Sequence, residues 1–288
     1  MIEWNDFLIR QIARRRVVVF IGAGVSMNSK NANGQCPKGW EVFLKDASSR
    51  LSTQDRTLIR KLMKKNDYLM TCELLRKKLG RSNFISIMEE EYLRPNYQKA
   101  EIHEQIFNLD SRIVLTPNFD KIYESYVQSI DNTIKTKLYF DDDIASSLNG
   151  DNRIVIKTHG TIDTPDKLIF TKSEYAKARI KYSLFYEMLE ALALTHTFLF
   201  IGAGLNDPDI RLLLEDTFFK HKMATSHYFL IGKKMLHKEE QSIIEETTNI
   251  KFLEYATTNN HSELTDSLKE LTKKVEEERK NLTITQNW

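Results

Sequence analysis

Three stretches of this 288-residue sequence end in residue types that can do chemistry. Val17-Val-Val-Phe-Ile-Gly-Ala-Gly-Val-Ser26 closes in a glycine turn and a hydroxyl. Leu115-Thr-Pro-Asn-Phe-Asp120 closes in Thr116, Asn118 and Asp120, and Ile154-Val-Ile-Lys-Thr-His-Gly160 closes in His159 and a glycine. A carboxamide donates and accepts at once, so Asn118 suits sugar hydroxyls and an attacking water. An unperturbed imidazole titrates near neutral pH, so His159 can take a proton from a water or a hydroxyl. Glycine lets backbone N–H groups approach a phosphate at the start of a helix, which fits Gly22, Ala23 and Gly24 with the Ser26 hydroxyl beside them. Asp120 fits either a ligand amide or the cap of a following helix.

A second turn of the same kind is Gly202-Ala-Gly204-Leu-Asn-Asp-Pro-Asp209. Asn206 or Asp207 can cap the helix that follows, with Pro208 in its first turn. Two backbone cradles in one sheet suit a ligand with two halves, such as a dinucleotide. Either turn alone is equally readable as a tight structural corner. The nicotinamide-dehydrogenase fingerprint is absent: its third glycine would fall at Met27, and no second strand ending in an acidic residue follows.

The elements that must position these residues are legible from periodicity. Continuous apolar runs at 17, 113, 154 and 197 read as strands covered on both faces. Further strands are expected at 135–140, 227–231 and 250–254. Helical patterns fall between them at 120–129, 182–194, 208–220, 238–247 and 262–278. This alternation predicts an α/β, Rossmann-like fold: a mostly parallel sheet with helices on both faces. In such sheets ligands bind at the carboxyl ends of the strands. The segment 5–15 reads as a helix capped by Asn5, with Trp4, Phe7, Leu8 and Ile12 at helical spacing. Arg14, Arg15 and Arg16 suit its C-terminal dipole. From about 40 to 108 the pattern is helical throughout, an insertion of four or five helices in one 288-residue domain. Lys273–Lys280 reads as a solvated helix leading into a frayed tail.

Bulk composition narrows the class. There are 42 basic and 40 acidic residues, which gives no reason to expect nucleic acid or an anionic membrane as a partner. The two cysteines, Cys36 and Cys72, cannot form a four-cysteine zinc site, so no metal is expected. Scattered cysteines, the lack of a signal-peptide pattern and the lack of a long apolar span predict a cytoplasmic protein. The remaining histidines (103, 196, 221, 227, 237 and 261) match no motif and read as core or surface residues.

Taken together, Gly22-Ala-Gly-Val-Ser26, Thr116-Pro-Asn-Phe-Asp120, His159-Gly160 and Gly202-Ala-Gly-Leu-Asn-Asp-Pro-Asp209 resemble the sirtuin family in order and strand context. The resemblance covers nearly the whole chain. It is closer to the sirtuin-like NADase domains of bacterial antiphage systems, such as the Thoeris effector, which share the Leu-Asn-Asp-Pro-Asp turn and a segment like Leu168-Ile-Phe-Thr-Lys-Ser-Glu-Tyr175. Protein-deacylating sirtuins carry a four-cysteine zinc module and Gln where this chain has Pro117. Both departures count against deacylation, which stays the second hypothesis, with a non-catalytic NAD or ADP-ribose sensor as the third.

The resemblance implies an NAD glycohydrolase that depletes NAD in antiphage defence by abortive infection. It implies Asn118 and His159 as catalytic residues. Gly22, Ala23, Gly24 and Ser26 would line the pyrophosphate, Asp120 would hold the nicotinamide carboxamide or cap the following helix, and Thr116 would belong to the cofactor-binding residues. Gly202, Gly204, Asn206 and Asp207 would lie toward the adenosine half. An unregulated NADase would kill its host, so a gate is expected: a homo-oligomer, a partner ATPase or a phage-derived activator.

Overall fold

The computed structural model describes residues 1–205, 207, 210, 214 and 225–286. Seven strands form one parallel sheet: β1 (Val17–Ile21), β2 (Ile113–Thr116), β3 (Lys135–Leu138), β4 (Ile154–Lys157), β5 (Thr197–Ile201), β6 (His227–Gly232) and β7 (Ile250–Tyr255). Their spatial order is β3-β4-β2-β1-β5-β6-β7, and every pairing is parallel. The Rossmann-like expectation holds. The four strands that carry the motifs, β4, β2, β1 and β5, are the four adjacent central ones. The order reverses at β1, between β2 and β5, which is where open parallel sheets form their ligand crevice.

Alternate strand residues serve opposite layers, as a pleated strand requires. Val17, Val19, Ile21, Val114, Val155, Leu199 and Ile201 pack into one core. That core receives α1 (Asp6–Ala13), α7 (Glu101–Asn108), α8 (Ile122–Ile130) and the C-terminal helix Thr258–Gln286. Val18, Phe20, Leu115, Ile156, Phe198 and Phe200 face the other layer, made with α9 (Ile144–Leu148), α10 (Lys172–Lys181) and α11 (Ser183–Thr195).

Asn5 caps α1 by accepting from Phe7 N at 2.8 Å, as expected, and the helix buries Leu8, Ile9, Ile12 and Ala13. Phe7 lies off that stripe and stays exposed. The helix expected at the end of the chain is present, and 273–280 is solvated except at Val275. Leu264, Leu268, Leu271 and Val275, spaced four, three and four apart, are buried against α1 and α7. Arg279 donates to Leu109 O at 2.8 Å. The helix expected over 208–220 lies largely outside the described residues.

Helices α3 (Trp40–Ser48), α4 (Thr53–Lys64), α5 (Tyr68–Leu79) and α6 (Arg81–Tyr92) build a third core, which includes Phe43, Ile59, Cys72, Leu75 and Phe84. That core also takes in Phe119, Ile162, Leu168 and Phe170 from the loops after β2 and β4. The helical segment therefore sits on the carboxyl edge of the sheet and buries the apolar halves of the loops that carry Asn118 and His159. By contrast α7 joins the α1 layer through Ile102 and Ile106.

Candidate active site

A cleft of about 620 Å³ opens over the carboxyl ends of the central strands. Its floor is the sheet edge: Gly22, Ala23 and Ser26 after β1, Pro117, Asn118 and Asp120 after β2, His159 after β4, and Ala203, Gly204 and Asp207 after β5. Its other wall comes from the helical segment, through Lys38, Trp40, Tyr68 and Tyr92. Asn118 and His159 thus open into the same space. Thr116 is buried beneath them and accepts from Asn118 N at 3.2 Å, so it shapes the turn rather than the cleft surface. Asn206 lies outside the described residues.

A hydrogen-bond chain runs through the floor. Ser26 Oγ donates to Asp120 Oδ2 at 2.8 Å, and Asn118 Nδ2 donates to Ser26 Oγ at 3.0 Å. A hydroxyl has one proton, and here the carboxylate takes it. Asn118 must therefore present its NH₂ to Ser26, which settles the amide orientation and leaves its carbonyl oxygen unpartnered among the described residues. Both roles left open for Asp120 can be weighed: Oδ1 accepts from Ile122 N at 3.0 Å, so the helix cap is present, while Oδ2 holds Ser26.

His159 is buried, and its Nδ1 stands 3.3 Å from the Tyr175 hydroxyl, with the two rings edge to face at 5.0 Å. Gly160 has a φ of 88°, and a Cβ there would meet Lys167 O at 2.9 Å, so the His-Gly pair is a requirement of the turn. Tyr175 is placed by a capping box: Thr171 Oγ1 accepts from Glu174 N at 3.2 Å and Glu174 Oε2 accepts from Thr171 N at 2.9 Å. The Thr-Lys-Ser-Glu signature was readable in the sequence, but its effect of setting a phenol against His159 was not.

The glycine turns behave differently from simple phosphate cradles. Gly22 N donates to Ile201 O at 2.9 Å and Gly24 N donates to Gly202 O at 2.8 Å. These two N–H groups are already used in joining the β1 and β5 turns. Gly22 still lines the cleft, whereas Gly24 and Gly202 do not. Asp207 accepts from Ile210 N at 3.3 Å, the capping role expected of it.

Below the floor, Lys157 of β4 is wholly buried. Its ammonium donates to Asp120 O and to Glu124 Oε1, the latter at 2.6 Å. Burial pushes the Glu124 carboxyl above its ordinary range, and the Lys157 charge pulls the other way. At the rim, Lys38 pairs with Glu91 at 2.8 Å and Asp46 at 3.2 Å, and its pKa is raised chiefly by Glu91. Among the described residues, no group of three or more His, Cys, Asp or Glu is placed to hold a metal ion, and no helix is long and apolar enough to cross a membrane.

Residues 112–253 match a family model described as SIR2-like domain. The chain is similar to NAD(+) hydrolase ThsA of Enterococcus faecium, 24% identical over 230 residues that cover 78% of this chain and 45% of that protein. NAD(+) hydrolase ThsA of Bacillus cereus (strain MSX-D12) is 23% identical, with 82% of this chain and 47% of that protein covered. Defense-associated sirtuin 2 of Bacillus subtilis is 23% identical, with 69% of this chain and 19% of that protein covered. The chain spans about half the length of the NAD(+) hydrolases it matches.

Proposed function

We propose that this chain, whose residues 112–253 match the SIR2-like domain family, hydrolyses NAD to nicotinamide and ADP-ribose as an effector of antiphage defence. One observation carries the reading: Asn118, Ser26, Asp120 and His159 line one cleft at the carboxyl edge of a parallel sheet. The names of the relatives support the choice of substrate.

The bond between ribose C1′ and the cationic nicotinamide nitrogen is weak. It breaks with its electron pair going to the ring, so nicotinamide leaves neutral and no general acid is needed. An oxocarbenium-like centre develops at C1′, and water closes it. The protein has to hold the ribose, face the developing cation with negative charge, and deliver a water. Fixed geometry and preorganised electrostatics supply most of such an acceleration.

The Asn118 carbonyl, turned outward by the Ser26 contact, accepts from a ribose hydroxyl or the water. His159 takes the proton released as water adds, held by Tyr175 at Nδ1. Asp120 supplies negative charge nearby and has lone pairs left for the nicotinamide amide. The Gly22–Gly24 and Gly202–Gly204 backbones approach the pyrophosphate and the adenosine side, with Asp207, and with Asn206 next to it in sequence, toward the latter. The substrate places the reaction in the cytoplasm. Activity is gated by self-assembly, a partner ATPase or a phage-derived activator.

Chromatography of NAD products from the assembled protein tests this. Nicotinamide and linear ADP-ribose should accumulate, and a cyclic product would change only the nucleophile. Asn118→Ala and His159→Ala should each cut turnover by about 100-fold or more while the melting temperature stays put. NAD loss at wild-type rates in both variants would refute the assignment.

A further inference from the structure

We propose that the buried Lys157–Glu124 pair is a positioning device that locks the Asn118 loop to the strand carrying His159. The proposal rests on the NAD-cleaving reading of the same cleft.

Lys157 is a charged residue at the end of an otherwise apolar strand, and Glu124 lies one turn after Asp120 on a helix that is buried there. Neither side chain reaches the cleft, and a buried ion pair is a poor way to gain stability, because desolvating both charges offsets their attraction. An apolar pair of similar volume would fill the space as well. What such a pair could not do is hold the main-chain carbonyl of Asp120. Lys157 does so from the strand that delivers His159 two residues later.

The connection then runs through described contacts. Lys157 fixes the Asp120 backbone, Asp120 Oδ2 fixes Ser26, and Ser26 fixes the Asn118 amide. Glu124 at 2.6 Å holds the ammonium in place. Further contacts lace the same segments: Thr158 N donates to Thr116 O at 2.9 Å, Ile162 N donates to Phe119 O at 2.9 Å, and Lys121 pairs with Asp163 at 2.6 Å on the surface. These align the loop tips. Of these contacts, the one from Lys157 reaches the residue that orients both Ser26 and the start of α8. The pair therefore ties the support of the amide to the strand that carries the imidazole, and it contributes to turnover without touching NAD.

The test replaces both charges at once, so that no lone charge is left buried. In Lys157→Met/Glu124→Leu the proposal expects kcat to fall by about 100-fold with KM within about threefold of wild type. Hydrogen exchange should quicken at the amides of 118–121 and stay unchanged in 183–195. A folded double variant with wild-type kcat and unchanged exchange at 118–121 overturns the proposal. Lys157→Gln/Glu124→Gln, which keeps a polar pair and leaves no lone charge, guards against an apolar double variant that does not fold. It should lose several-fold in kcat at constant KM, and full kcat there with unchanged exchange also overturns the assignment. A wild-type chain that is activated yet releases no nicotinamide would sink the NAD reading instead. The exchange pattern would still decide whether the pair holds the loop.

Discussion

The turns after β1 and β5 share the text Ile-Gly-Ala-Gly, at 21–24 and 201–204, yet the fold asks different things of them. A Cβ on Gly22 would lie 2.5 Å from Ala203 Cα and from Gly202 O. On Gly24 it would lie 2.9 Å from Gly202 Cα, and on Gly202, at a φ of 60°, 2.6 Å from Val25 N. Around Gly204 nothing lies within 4 Å. Three of the four glycines exist so that two backbones can run against each other across the centre of the sheet. The fourth faces the cleft with room to spare. Glycines of one short motif can be a structural joint at three positions and stand open at the fourth, and only their neighbours decide which.

The sharpest way to break this contrast is to add a methyl group. Gly22→Ala and Gly202→Ala should each cost roughly 3 kcal/mol or more, since backbone cannot move aside as a side chain can. Urea denaturation measures this, and an unchanged midpoint would contradict the joint.

Acid should act more gently on the β5 side. His227 Nδ1 accepts from Phe198 N at 3.1 Å at the foot of β5, and burial pushes its pKa down to about 4. Below the ordinary value of 6.5 the unfolded chain takes a proton that the folded chain refuses. Stability is therefore complete above pH 6.5 and is lost as pH falls toward 4, by roughly 2–3 kcal/mol for this residue. His103, buried in the opposite layer and also lowered to about 4 by burial, adds a second contribution of the same sign. Denaturation at pH 7.5 and 5 should show the loss, and His227→Gln should flatten the slope. An equal slope in the variant would count against His227.

The smallest effect belongs to Gly204→Ala. Its melting temperature should match wild type, within about 0.5 kcal/mol. Any change should appear as weaker NAD binding, measured by calorimetry. A large fall in stability would show that the second turn is as constrained as the first.

The strands and their C-terminal motifs were legible because buried parallel strands leave uninterrupted apolar runs, and polar residues at their ends have nowhere else to go. Asn118, His159, Ser26 and Asp120 were found this way, and they line one cleft. Pairings across the chain left no such trace. That Gly24 N would bond Gly202 O, that Tyr175 would meet His159, and that Glu124 would find Lys157 all depend on which strands become neighbours. The buried stripe of the C-terminal helix is hard to read in sequence for a related reason. Its charged residues outnumber the apolar ones, and the narrow stripe ending at Val275 becomes visible only against α1 and α7.

The central position of β1 has a consequence for the timing of assembly. This first strand aligns Val18 with Ile113 on one side and with Phe198 on the other. During synthesis it waits for partners made much later, and such long-range pairing is slow to form. The glycine joint cannot close, nor the cleft floor be completed, until Thr197–Ile201 has left the ribosome. A chain that stops short of Thr197 therefore has no finished cleft floor.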